Sequence, residues 1–202
     1  MKKLAVLVVL ALALPMAAFA ASDVDYTNSG GTLSGSSSGL SLSGSALIAV
    51  NGLNGGGLVT SANLGTLTFS TGALTSGSLQ GNATFAGGGS FTITGNGSSG
   101  IPNGTLFTGI FTSPVRWQLV TFQNGTHNYT LTGALDGTTN TGFSTVGVTV
   151  QLTINTGKGF FNGSTRISSG DTNIVVPEPG SLTLLGTGLV GVAGAIRRKL
   201  KV

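Results

Sequence analysis

Very few residues in this chain could do chemistry. There is one histidine, His127, no cysteine, and one glutamate, Glu178, among five carboxylates in all. Thiolate catalysis and cysteine-bound zinc are excluded outright. A metal site would have to rest on His127 and scattered aspartates without ligand spacing, so His127 reads as a hydrogen-bonded hairpin residue and no metal or other cofactor is expected. Asp23-Val24-Asp25 and Asp171-Thr172-Asn173 could offer oxygens to calcium, but neither fits an EF-hand loop. Gly35-Ser36-Ser37-Ser38-Gly39 satisfies the nucleophile-elbow pattern, yet no carboxylate stands between Ser37 and His127 to complete the order Ser, acid, His. Gly95-Asn96-Gly97-Ser98-Ser99-Gly100 fits the dinucleotide pattern, but Ile101-Pro102-Asn103-Gly104 follows where a helix would have to start. With 35 glycines in 202 residues, both matches are expected accidents. From Tyr26 to Val115 no side chain is charged, which removes the usual general acids and bases from nearly half the chain. The expectation is a protein that is not an enzyme.

Trp117 and Tyr129 could stack on a sugar ring. Each alternates with a leucine, Leu119 and Leu131, and aromatics on the apolar register of a strand normally fill the core. Burial is therefore expected, with a carbohydrate-binding module kept as the alternative function. Six Asn-x-Ser/Thr sequons, at Asn82, Asn96, Asn103, Asn124, Asn128 and Asn162, are mostly Asn-Gly pairs, which turn chemistry explains without glycans.

The elements that position these residues are strands. Val146, Val148, Val150, Leu152 and Ile154 alternate with smaller or polar residues, and Leu67 with Phe69 and Phe91 with Ile93 repeat the pattern. Asn-Gly at 51, 54, 96, 103, 124 and 162 and Asp-Gly at 136 supply turn signals. An all-β, antiparallel β-sandwich or jelly-roll-like domain over residues 45–175 follows, with a solenoid as the rival. Residues 21–44, nearly all Gly and Ser from Gly30 onward, are expected to form a loose lead, and residues 168–173 a similar linker. The long uncharged stretch lacks the lysines that protect sheet edges, so edge-to-edge self-association is expected.

The net charge of +4 belongs to the ends. Lys2, Lys3, Arg197, Arg198, Lys199 and Lys201 are terminal, while between them Arg116, Lys158 and Arg166 face Asp23, Asp25, Asp136 and Asp171, a net of −1. No nucleic-acid partner is expected. Met1-Lys2-Lys3, an apolar run and Ala18-Phe19-Ala20 form the three zones of a secretory signal helix over residues 1–20, cleaved between Ala20 and Ala21 by signal peptidase. Residues 181–196 carry no charge and would span about 24 Å as a helix, a short transmembrane segment that the stems of Arg197, Arg198 and Lys199 lengthen. Those charges place the C-terminus in the cytoplasm.

Val176-Pro177-Glu178-Pro179, followed by that apolar helix and the Arg197-Arg198-Lys199 cluster, resembles the PEP-CTERM sorting signal of Gram-negative bacteria. The resemblance is confined to residues 176–202. It implies export, a transient anchor in the inner membrane, recognition by an exosortase-type membrane protease or transpeptidase, and delivery to the cell surface or extracellular matrix. It also implies a link to exopolysaccharide and biofilm. Its physical basis is legible: two prolines keep the segment extended for a protease, and Glu178 between them is a specificity handle.

Overall fold

The computed structural model describes residues 22–176. The expected signal helix with Ala18, Ala20 and Ala21, and the expected tail with Pro177, Glu178, Pro179, Arg197, Arg198 and Lys199, lie outside them. Thirteen strands fill the described chain: β1 (Ser22–Ser29), β2 (Thr32–Ser36), β3 (Gly39–Asn51), β4 (Val59–Ser70), β5 (Leu74–Gly77), β6 (Ala83–Phe85) and β7 (Gly88–Asn96). After these come β8 (Asn103–Phe111), β9 (Val115–Thr121), β10 (His127–Thr139), β11 (Ser144–Gly157), β12 (Ser164–Arg166) and β13 (Ser169–Val176). The all-β, antiparallel expectation holds.

The sandwich does not. All thirteen strands belong to one sheet, and eight of them close into a ring in the order β11, β13, β1, β3, β4, β7, β8, β10, with β10 pairing back onto β11. Two long strands make this possible by changing neighbours along their length. One edge of β10 meets β9 over residues 127–132 and β8 over residues 135–139, while its other edge runs along β11. Likewise β3 meets β2 over residues 39–43 and β1 over residues 46–51. The barrel therefore carries two flaps, β9-β6-β5 and β2-β12.

Alternation drives the closure, because every second residue is apolar and must leave water. Leu67 and Phe69 on β4, Phe91 and Ile93 on β7, and Val148, Val150, Leu152 and Ile154 on β11 are all buried in one continuous core. Phe69, Phe91, Phe107 and Phe111 meet at ring separations of 5.9 to 6.2 Å. Hydroxyls occupy the other face: Ser164, Ser34, Ser41, Ser70 and Ser90 lie opposite one another across β12, β2, β3, β4 and β7. Beside them Thr66 and Thr94 are joined oxygen to oxygen at 2.7 Å. Apolar inside and hydroxyl outside is the reverse of a membrane-spanning barrel.

Three local readings are corrected. The Gly/Ser-rich stretch is no loose lead: β1 with β2 pairs against β3 in a hairpin turning at Ser37 and Ser38, and Leu33, Leu40 and Leu42 are buried. Residues 168–173 are likewise no linker, since they enter β13 against β11. Asp136-Gly137 is no turn either. It sits inside β10, where Gly137 faces Gly109 and the Phe107 ring lies against both, leaving no room for a Cβ. Here the register against β11 slips, Gly147 takes φ +71°, and the extra residue turns Val146 out to solvent.

Candidate functional site

Trp117 on the β9 flap and Tyr129 on β10 beside it stack on each other at 4.7 Å, both fully buried. Their polar ends fasten loops. The Trp117 indole Nε1 donates to the Leu79 carbonyl at 3.1 Å and the Tyr129 hydroxyl to the Gln80 carbonyl at 2.9 Å, while the Phe161 amide donates to that same hydroxyl at 3.1 Å. They hold the segment between β5 and β6 onto the core and offer no face to a sugar. His127 is also structural, with Nδ1 3.0 Å from the Thr121 hydroxyl and its ring stacked on Phe160 at 4.3 Å. Among the described residues no three His, Asp or Glu side chains gather around a possible metal position.

Two of the sequons act as turn formers, while Asn103 and Asn128 lie inside strands β8 and β10, so their Asn positions are not turns. The Asn96 side-chain oxygen accepts from the amide and hydroxyl of Ser98, and that of Asn124 from the amide and hydroxyl of Thr126. Asn82 accepts from the Leu119 amide at 2.8 Å and ties the β5–β6 segment to β9. The elbow-like Gly35–Gly39 is the β2–β3 hairpin, and Gly95–Gly100 leads from β7 into a turn.

One surface stands out by geometry. Ser76, Thr84, Arg116, Thr132, Gln151 and Asp171 lie opposite one another in a single row across β5, β6, β9, β10, β11 and β13. All six point outward, since their chain neighbours on β6, β9 and β13 are buried. Two open hollows of about 460 and 230 Å³ follow this row and meet at Arg116. Ser113 and Pro114, in the link from β8 to β9, flank the larger one, and Asn82 and Gln118 flank the smaller. At the far end Asp171 lies close to Asp25 of β1. Partial burial first, and then the Asp171 charge, raise the Asp25 carboxyl above its ordinary 3.8, against a lowering backbone hydrogen bond at Tyr26. The row is invisible in the sequence because its members are up to 95 positions apart, from Ser76 to Asp171, and only strand register unites them.

Of the residues expected to direct sorting, Val176 alone is within the described chain, as the last residue of β13. The PEP-CTERM protein-sorting motif matches residues 175–199. The chain carries a PEP-CTERM sorting signal. That signal implies export, membrane-associated sorting and an exosortase as processing partner. The match covers 25 of the 202 residues and begins on β13, so barrel and signal adjoin with no spacer between them. No curated protein and no solved structure matches the chain.

Proposed function

We propose that this chain is a non-enzymatic surface or extracellular-matrix protein in which the barrel is the cargo and the PEP-CTERM tail its removable address. The observation that carries the reading is the junction: the motif starts at residue 175, where the last strand of the barrel ends at Val176. A cut in or near Pro177-Glu178-Pro179 leaves every strand intact. The tail anchors the chain in the inner membrane until an exosortase acts, and the product passes to the surface or the matrix around the cell.

Processing also changes the sign of the protein. Without the signal peptide the chain has seven basic residues and five acids, a net of +2. Loss of Arg197, Arg198, Lys199 and Lys201 leaves three basic residues against four or five acids, a net of −1 or −2. Isoelectric focusing and intact-mass measurement of surface material are expected to find an acidic species ending near Pro179. Glu178→Ala is expected to retain a basic, membrane-bound form. A surface protein that still carries residues 197–201 would make the tail a permanent anchor and overturn the proposal.

A further inference from the structure

The row through Arg116 has the features of a binding groove, and it is independent of how the chain is sorted. It runs across the strands on the face of the sheet, where backbone groups are already paired between neighbours and recognition falls to side chains. Along the row those side chains are three hydroxyls, one amide, one guanidinium and one carboxylate, and Pro114, Ala134 and Val150 add apolar contact in the larger hollow. Strands are spaced about 4.8 Å apart, so six of them offer a polar group at each step along about 24 Å. That step is close to the length of one sugar ring in an extended chain. A peptide fits poorly, because no strand edge is offered along this row to pair with its backbone.

Charge selects further. Arg116 is the one cation lining either hollow and stands where the two meet. Its fixed fork suits a carboxylate, bound through two parallel hydrogen bonds. Asp171 is three strands away, about 14 Å, which exceeds the screening length of about 8 Å at physiological salt. The acidic end therefore does not cancel Arg116. It repels a second carboxylate and accepts hydrogen bonds from sugar hydroxyls, giving the groove a direction.

We propose that this groove binds a linear, carboxylate-bearing polysaccharide, one sugar unit per strand, with a uronate on Arg116 and unmodified hydroxyls toward Asp171. The test uses the full-length chain in detergent and three probes: a six-unit hyaluronan oligosaccharide, whose uronates alternate with uncharged sugars so that a uronate on Arg116 leaves an uncharged unit at Asp171, the same oligomer with its carboxylates reduced to alcohols, and an oligoglutamate of equal charge. Titration calorimetry is expected to show binding of the first, at least tenfold weaker binding of the second, and none of the third. Arg116→Gln is expected to bring the first down to the level of the second and to leave the second unchanged, while Thr68→Ala, on β4 away from the row, changes nothing. Near-ultraviolet circular dichroism from Trp117 checks that each variant is folded. Failure of the hyaluronan oligosaccharide to bind, equal binding of both sugar forms, indifference to Arg116→Gln, or binding of the oligoglutamate would each overturn the proposal.

Discussion

Tyr26 makes the barrel sensitive to alkali in a way that can be calculated. It lies on β1 with 1% of its surface exposed, and burial pushes its phenol above the ordinary 10.0. The cause is desolvation: a phenolate inside an apolar barrel loses its hydration without gaining a compensating charge. Above pH 10 the unfolded chain releases this proton while the folded chain keeps it, so stability falls as pH rises, by about 1.4 kcal/mol per unit. At pH 12 the loss is on the order of 2 to 3 kcal/mol, a large share of the 5 to 15 kcal/mol typical of a domain. Tyr26→Phe removes the proton and keeps the ring. Every other titrating group is common to both proteins and cancels in the comparison. Urea unfolding followed by fluorescence of Trp117, the only tryptophan, at intervals from pH 8 to 12 is expected to show a constant gap up to about pH 9 and a gap that then grows in favour of the variant. Curves that stay parallel to pH 12 would mean that the phenol ionises in place, and the burial argument would be wrong.

Two further substitutions probe the interior. The Thr172 hydroxyl is fully buried without a hydrogen-bond partner among the described residues, so Thr172→Val is expected to raise stability by about 1 kcal/mol, read as a higher urea midpoint; a lower midpoint would reveal a partner for the oxygen. Trp117→Ala empties the centre of the flap and strands the Leu79 carbonyl, so a loss of roughly 3 to 5 kcal/mol is expected in thermal melts. A melt within about 1 kcal/mol of the parent would show that the ring is not part of the core.

The strands were legible wherever apolar residues alternated over at least three positions, as in Val148 to Ile154, or where two bulky residues stood two apart, as in Phe91 and Ile93. The same rule applied to Leu33, and to Leu40 with Leu42, would have found β2 and β3. Composition obscured it, because a surface built of serine and glycine looks like a linker when its buried partners are few. Asp136-Gly137 misled for the opposite reason: the pair that opens a tight turn also suits a bulge, and only the Phe107 ring lying against Gly137 and Gly109 decides between them. Closure was out of reach, since it depends on β10 and β3 each dividing one edge between two partners. Burial of Trp117 and Tyr129 was readable from pattern alone. The groove was not, because its row exists only after register is fixed.

Closure also answers the difficulty posed by an uncharged half-chain. An open sheet of this composition would expose long edges without lysine gatekeepers, a template for pairing with another copy. Joining β10 to β11 removes the two edges of the eight-strand ring, and the flaps end in β5 and β12, four and three residues long. Such short edges give another copy few ladder bonds to add. The exposed faces are held by side-chain pairs instead of charges: Thr66 with Thr94 at 2.7 Å and Ser70 with Ser90 at 3.1 Å bind each other across the strands. The self-association expected from the sequence is thus opposed by topology at the places where charge would otherwise be needed. That releases the few charges present for other uses, and Arg116, alone among the linings of the two hollows in carrying positive charge, stands at the midpoint of the one extended groove they form.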